Sequence, residues 1–453
     1  MKVAKFGGSS LASADLVAQV CDIVLADPDR RLIVVSAPGR RHKGDTKVTD
    51  LLIACAEARL AGVSGKEELD AILGRYREIA EALDLPPDVM AGIEADLQAR
   101  LSEPTDDHHQ FLDTMKAAGE DNCARLVAAV LTARGADARY VSPKEAGLLL
   151  THEHGNARVL PASYENLARL SGADGITVFP GFFGYSPKGA VVTLPRGGSD
   201  ITGSILAAAV HADVYENFTD VDCVFVANPG VVPDAQPLQE LTYREMRELS
   251  YAGFGVFHEE ALEAVFHAGV PVCIKNASNP QAPGTRIVHE RTCPVGHVAG
   301  IAADAGFCQV TLSKYLMNRE IGFGRSLLQV LEDEGLSYEH TPSGIDNISV
   351  ILREDQFDAD AEARVVRRIR DELAVDDVAV EHGLALVMIV GECMRHVVGT
   401  AARACRAFAE AEVNIEMINQ GASEVSMMFG VKADDADTAV RALYDAFFPR
   451  AAS

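Results

Sequence analysis

Lys5-Phe6-Gly7-Gly8-Ser9-Ser10 sets a lysine, two glycines and two hydroxyls where a short apolar strand, Val3 to Phe6, gives way to a helical pattern. Glycine has no Cβ, so the backbone can approach an anion closely. Hydroxyls and backbone N–H groups then point at it, and the next helix adds its positive end. The lysine supplies a mobile positive charge. This chemistry suits a phosphate, although a Lys-Gly-Gly run alone also fits an ordinary tight turn. A second stretch, Thr193-Leu194-Pro195-Arg196-Gly197-Gly198-Ser199-Asp200-Ile201-Thr202-Gly203, repeats the plan. It reads as a strand end, a glycine pair, a hydroxyl and a helix over Ser204 to Val210. Arg196 precedes the turn and Asp200 follows it. Two Gly-Gly-Ser turns with basic neighbours point to a phosphoryl-handling site.

These turns need a scaffold. Residues 1 to about 290 read as alternating strands and helices. Strand candidates are Val3–Phe6, Leu32–Val35, Ala138–Val141, Ile176–Phe179, Val191–Leu194, Asp213–Tyr215 and Val270–Ile274. Leu16, Val17, Val20, Cys21, Val24 and Leu25 give the first intervening helix its 3.6-residue spacing. Such alternation implies an α/β domain, with a mainly parallel central sheet between helices. Residues 62–118 are charged and helical without a strand, and read as an insertion. Pro280, Pro283, Gly284 and Cys293-Pro294 mark the exit from a domain spanning 1–295.

The chain has 453 residues, so two or three domains are expected. The net charge of −25 disfavours nucleic-acid and anionic-membrane partners. Nine cysteines are spread singly with no Cys-x-x-Cys, which fits reduced thiols rather than a disulfide frame or a zinc site. The N-terminus reads as a strand rather than a signal peptide, and the apolar run Leu384 to Val390 is too short to span a bilayer. A soluble, cytoplasmic protein is expected. His108-His109 and His152-Glu153-His154 lack helical zinc spacing and read as solvated loop residues, so no metal-ligand set is assigned. No Gly-x-x-x-x-Gly-Lys-Ser/Thr occurs, and no Gly-x-Gly-x-x-Gly follows a strand, which argues against P-loop and dinucleotide enzymes.

The C-terminal part contains a repeat. Gly322, Gly335 and Gly344 match Gly399, Glu412 and Gly421, and 399, 412 and 421 each exceed their partners by 77. A shared offset across a helix and two strands implies a duplicated module. Each copy reads as a βαββαβ unit, 304–377 and 380–453, with helices Ser326–Glu334 and Arg403–Glu412. Pattern alone leaves open whether the pair is a dimerisation scaffold or holds an effector.

These residues resemble the aspartate kinases of the amino-acid kinase superfamily over nearly the whole chain. The resemblance rests on Lys5 to Ser10, Val35-Ser36-Ala37-Pro38-Gly39, Gly119-Glu120-Asp121-Asn122, Phe179-Pro180-Gly181-Phe182, Arg196 to Asp200 and Thr219-Asp220-Val221-Asp222. It continues through Lys275-Asn276, Pro283-Gly284-Thr285 and Asn414 to Gly421, the last resembling the signature of a second ACT module. It implies an amino-acid-kinase fold with two ACT modules, using ATP with Mg²⁺ or Mn²⁺ and L-aspartate. Lys5 would contact the transferred phosphoryl group, with Gly7, Gly8 and Ser9 wrapping the phosphates beside Gly197, Gly198 and Ser199. Asp200 would orient Lys5, and Thr219 and Asp220 would hold the adenosine side. Ser36 and Thr49 would line the site, Glu120 would pair with the substrate ammonium and Arg196 with its α-carboxylate. The chain departs from the family in having serine at Ser9 or Ser10, where one threonine is usual. Asn228 and Gly230 also stand where an acidic residue and an arginine are common.

The implied reaction suits the residues. A side-chain carboxylate with a pKa of roughly 3.9 is already an anionic nucleophile, so no general base is needed. What remains is positioning and charge neutralisation. Met317, Gly322, Phe323, Glu339, Ser343, Ile345 and Asp346 would form an effector site for lysine or threonine. Glu339 or Asp346 would take an ammonium. Pairing through the ACT modules predicts at least a homodimer. The alternatives are a kinase for a glutamate-type substrate and a non-catalytic amino-acid sensor.

Overall fold

The computed structural model describes residues 1–257, 259–421, 423 and 425–448. The chain forms two compact units. The first holds residues 1–224, 237–250 and 255–291, and the second holds 225–236, 251–254 and 292–453.

The first unit is built on ten strands: β1 (Lys2–Phe6), β2 (Arg30–Val35), β3 (Ala138–Tyr140), β4 (Ile176–Pro180), β5 (Phe183–Tyr185), β6 (Val191–Thr193), β7 (Val214–Thr219), β8 (Glu240–Thr242), β9 (Val272–Asn276) and β10 (Thr285–Val288). Eight of them form one sheet in the order β3-β4-β2-β1-β7-β9-β10-β8, parallel except between β9 and β10. β5 and β6 stand apart as an antiparallel hairpin. The helices are α1 (Ala14–Leu25), α2 (Val48–Leu60), α3 (Lys66–Ala82), α4 (Pro87–Leu101), α5 (His108–Ala133), α6 (Pro143–Ala146), α7 (Ala162–Ala168), α8 (Gly198–Ala209), α9 (Tyr243–Tyr251, whose last residue belongs to the second unit) and α10 (Leu262–Ala268). Residues 62–118 are helical, as their composition implies, but α5 runs on to Ala133.

Side chains alternate across β1 and β7, and this alternation separates core from chemistry. Phe6 and Phe218 are register partners, stacked 4.7 Å apart in the core that also holds Val17, Leu52 and Met115. Lys5 and Asn217, the preceding pair in register, face the other way. β7 runs past Tyr215, where the sequence reading ends it. Its polar residues are buried with partners: Glu216 receives the Arg30 guanidinium at 2.6 Å, and Asn217 reaches Asp200.

The second unit carries β11 (Gly300–Ser313), α11 (Phe323–Asp333), β12 (Asn347–Arg353), α12 (Ala359–Leu373), β13 (Asp377–Val390), α13 (Thr400–Glu410), β14 (Met417–Asn419), β15 (Ser426–Lys432) and α14 (Ala436–Phe447). All five strands share one antiparallel sheet, in the order β12-β11-β13-β15-β14. The repeat is visible in α11 and α13, which begin after Gly322 at φ 83° and Gly399 at φ 96°, the left-handed region that glycine adopts without strain. The second copy is not laid down in chain order, however. Nothing follows α14 as a last strand among the described residues. Instead Gly300–Ala305, the first half of β11, pairs with Ala385–Val390. The chain thus lays down one strand of the second copy before it builds the first. Ala422 and Glu424, part of the repeat motif, lie outside the described residues, as do 449–453.

The all-thiol reading of the cysteines also needs correction. Cys293 and Cys393 form a disulfide within the second unit, while the seven other cysteines are free. The two are separated by 100 residues, so no spacing motif announces the pair. Among the described residues no helix is long and apolar enough to cross a membrane.

Candidate active site

Parallel pairing brings the C-terminal ends of β1, β2 and β7 to one edge of the sheet, where open α/β sheets bind ligands. Gly7 to Ser9, Ser36 and Thr219 all lie there. The loops after β1 and β2 touch through backbone: Ser36 N–H donates to Phe6 O at 3.2 Å and Gly39 N–H to Gly8 O at 2.8 Å. A Cβ on Gly8 would come within 2.6 Å of Ala37 O, and one on Gly39 within 2.6 Å of Gly8 C. Both positions therefore require glycine because of close approach, and the loop presents main-chain groups rather than side chains. Buried Arg75, from α3, donates to Gly39 O at 2.6 Å and pairs with Asp45 at 2.8 Å, pinning this loop to the helical insertion.

The second glycine turn starts a helix earlier than its sequence implies. Gly197, at φ 81°, caps α8, so Gly198, Ser199 and Asp200 form its first turn rather than a loop before Ser204. The Gly198 and Ser199 N–H groups stand at the helix N-terminus, where the helix leaves main-chain donors unused, while the Asp200 N–H donates to Gly197 O at 2.8 Å. Lys5 Nζ lies 2.5 Å from Asp200 Oδ1, and Asn217 Nδ2 donates to the same oxygen at 2.6 Å. The Tyr215 hydroxyl donates to Asp200 O at 3.1 Å. Two residues of β7, Asn217 and Tyr215, thus hold the first turn of α8 against Lys5 of β1. Asn217 and Tyr215 escaped the sequence reading, although a polar Glu-Asn pair inside an apolar strand signals a buried partner.

Glu120 sits mid-way along α5. Gly119 lets that helix approach the β2 loop, since a Cβ there would come within 2.7 Å of Ala37 Cβ. The Glu120 side chain is buried and one carboxylate oxygen has no hydrogen-bond partner. Burial pushes its pKa up to about 8, against the stabilising amides of Ala37 and Glu120 itself. A buried carboxylate with an unused oxygen is prepared to receive a cation. Arg196 is exposed and has no ion-pair partner among the described residues. Thr49, in the first turn of α2, is half-buried, and the Thr219 hydroxyl donates to exposed Asp220 at 3.1 Å. Asn228 and Gly230 belong to the second unit, where the Gly230 amide donates to Asn228 Oδ1.

In the second unit, Met317, in a short turn before α11, and Phe323, the first residue of α11, are buried, while Ile345 is exposed. Lys314 Nζ pairs with Glu320 at 2.5 Å, and Asp346 Oδ1 accepts from the Leu316 amide at 2.8 Å. Glu339 is already engaged, receiving the Tyr251 hydroxyl at 2.5 Å and Arg353 at 3.5 Å. Of the two carboxylates read as ammonium acceptors, Asp346 is the one left without a side-chain cation.

Comparison with known proteins gives this arrangement its context. The profile of the amino acid kinase family matches residues 1–276, and that of the ACT domain matches residues 387–447. The chain belongs to the amino acid kinase family. Within it, the sequence is 58% identical over 448 residues to aspartokinase 3 of Bacillus subtilis, covering 99% of both chains. It is 29% identical to the lysine-sensitive aspartokinase 3 of Escherichia coli, covering 98% of this chain and 99% of that one. The fold matches the aspartate kinase of Clostridium acetobutylicum with a TM-score of 0.88, at 33% identity, over 99% of this chain and 100% of that one. It also matches Escherichia coli aspartokinase III in complex with aspartate and ADP (R-state), with a TM-score of 0.79 at 27% identity over 99% and 100% of the two chains. The activity is that of an aspartate kinase, an ATP-dependent phosphotransferase with a carboxyl group as acceptor.

Proposed function

We propose that Lys5, Asp200, Glu120 and Arg196 carry the transfer of the γ-phosphoryl group of ATP to the side-chain carboxylate of L-aspartate. The observation that supports this most directly is the Lys5–Asp200–Asn217 cluster beside a helix N-terminus and a side-chain-free glycine loop. Lys5 neutralises charge on the phosphoryl group in flight, and Asp200 and Asn217 keep its ammonium in place. Gly8, Ser9, Gly198 and Ser199 offer N–H groups to the phosphates, while Gly7, whose N–H donates to Phe218 O at 3.3 Å, and Gly197, the cap of α8, shape the two turns around them. The glycine loop fits them because a Cβ at Gly8 would strike Ala37 O of the packed β2 loop, so main-chain groups line this side of the site. Thr219 and Asp220 face the adenosine side. A divalent cation, Mg²⁺ or Mn²⁺, is expected to be held mainly by the nucleotide. Among the described residues no group of three acidic, His or Cys side chains could hold a metal ion alone.

Glu120 receives the ammonium of aspartate and Arg196 its α-carboxylate, with Ser36 and Thr49 lining the remainder. The acceptor carboxylate is then free to attack without a general base. Regulation is assigned to lysine, alone or with threonine, held by Met317, Gly322, Phe323, Ser343, Ile345 and Asp346. Escherichia coli aspartokinase III is known in complex with lysine and aspartate (T-state), at a TM-score of 0.75 and 26% identity, which supports this reading. Assembly into at least a dimer through the second unit is part of the proposal, and cytoplasmic residence accords with it. A coupled ADP-release assay with aspartate and glutamate, with and without lysine, tests the whole. Turnover on glutamate at a rate equal to that on aspartate would redirect the substrate assignment.

A further inference from the structure

Glu120 and Arg196 grip the two polar groups on one α-carbon, so their relative position must be held closely. They come from parts of the first unit that share no sheet. Glu120 rides on α5, packed against the main sheet. Arg196 follows the detached β5–β6 hairpin by three residues. What joins them is a carboxylate outside the reaction site.

Asp113 is 1% exposed. Its Oδ1 accepts from the Thr193 hydroxyl at 2.8 Å, and its Oδ2 receives His154 Nδ1 at 2.9 Å, the Thr193 amide at 3.1 Å and the Gly155 amide at 3.2 Å. Lys116 Nζ stays farther away, at 3.7 Å. The carbonyl of Thr193 is held as well, by the Ala157 amide at 3.1 Å. Among the described residues, the hydrogen bonds between α5 and the hairpin all end on this one carboxylate. Asp113 also precedes Glu120 by seven residues, two helical turns, so the two lie on the same face about 10 Å apart along the axis. Thr193 is the last residue of β6, and Arg196 hangs from it.

We propose that Asp113 is a positioning residue that sets Arg196 relative to Glu120, and so tunes recognition of the amino-acid end of the substrate. It touches neither substrate nor phosphate. A carboxylate buried with four donors, its nearest lysine 3.7 Å away, is held at considerable desolvation cost. Two of its four bonds end on Thr193, the strand end that leads to Arg196. This inference rests on Glu120 and Arg196 being the two substrate grips.

The test is a set of steady-state constants on purified enzyme. Asp113→Ala leaves the donors unpaired and releases the hairpin. It should raise KM for aspartate by at least about tenfold, with kcat and KM for ATP within about twofold, since misplacing a grip by about 1 Å can lower efficiency by up to 10²-fold. Asp113→Asn should recover most of the loss. Its amide oxygen can face His154, Gly155 and the Thr193 amide, and its NH₂ can donate to the Thr193 hydroxyl. Thr193→Val removes a single donor and should give a smaller rise confined to aspartate. It keeps the test open should Asp113→Ala not fold. The decisive comparison is in the Arg196→Ala background, where neither Asp113→Ala nor Thr193→Val should raise KM for aspartate further. Additive effects there, or equal rises for ATP and aspartate, would overturn the tether. Should Arg196→Ala itself leave KM for aspartate unchanged, the reading of the substrate grips would fail instead, and the two failures are distinct.

Discussion

The two units hold their functional charges in opposite ways. In the first, Lys5, Glu120 and Asp113 are all buried, and each is aimed by a neighbour on a different element. In the second, the loop before α11 carries Tyr315 and Ile321 and the turn before β12 carries Ile345, all exposed to solvent, and the Lys314–Glu320 pair is only partly sheltered. The difference follows from what each must do. Charge developing in a transition state is stabilised best by groups that need not reorganise, and burial provides that. An effector needs only a different affinity for two states, typically about 1–3 kcal/mol, which a shallow site can supply.

Removing the most rigidly held charge should therefore have the largest effect. Lys5→Ala is expected to lower kcat by about 10²–10³-fold with little change in melting temperature, because its contribution is realised mainly in the transition state. Steady-state kinetics beside thermal denaturation decides this. Near-normal kcat in the folded variant would place Lys5 outside the mechanism and erase the contrast between the units.

Arg196 differs from these buried charges, exposed and without an ion-pair partner among the described residues, so its loss should alter binding rather than rate. A charge-assisted pair is worth about 1.5–3 kcal/mol, so Arg196→Ala should raise KM for aspartate by about 10–150-fold and leave KM for ATP near its original value. Equal changes for both substrates would contradict the assignment.

Glu120 adds a pH signature. With its pKa raised to about 8 by burial, the free enzyme holds Glu120 neutral below that pH, while the substrate ammonium calls for the carboxylate. KM for aspartate should then fall by about tenfold per pH unit from pH 6 to 8 and level off above, since binding must release one proton. Stability moves the other way. The folded state binds the proton more tightly than the unfolded one, so the stability contributed by neutral Glu120 is complete below about 4.5 and is lost as pH rises to about 8. Glu120→Gln should flatten both profiles and melt at higher temperature than the parent at pH 8. A KM profile for the parent that does not change across this range would remove Glu120 from ammonium binding.

Much of this was legible in the sequence because it depends on local pattern. The strand-turn-helix junctions at Gly7-Gly8 and Gly197-Gly198, the helical insertion and the 77-residue offset are each written in neighbouring residues. What was illegible depends on pairing across distance. Asp113 has no meaning until Thr193, 80 residues on, and His154, 41 residues on, reach it. His154 accordingly reads as a solvated loop residue in sequence, yet is mostly buried against a carboxylate. β7 seemed to end at Tyr215 because Glu216 and Asn217 are polar, and only their partners Arg30 and Asp200 explain a buried strand there. The fourth strand of the second ACT-like copy precedes the first copy, an order no repeat search based on a constant offset can reveal.

The smallest expected effect comes from the second unit and sharpens the comparison most. Asp346 already gives one oxygen to the Leu316 amide and has no side-chain cation among the described residues, whereas Glu339 is occupied by Arg353 and Tyr251. On the proposed reading an incoming ammonium would meet Asp346 as the available carboxylate, and the N-terminus of α11 at Gly322 would face an α-carboxylate. Losing one charge-assisted bond should weaken inhibition without touching turnover, because the site lies outside the unit that performs the chemistry. Asp346→Ala should raise the lysine concentration needed for half-inhibition by about 10-fold or more, with kcat and both KM values unchanged in its absence. Glu339→Ala should instead disturb the Arg353 and Tyr251 contacts and shift basal kinetics as well as inhibition. Calorimetry on the parent and Asp346→Ala enzymes separates the cases. If lysine and threonine both fail to bind the parent, the exposed loop serves assembly rather than control, and its shallow hold on charge needs a different explanation.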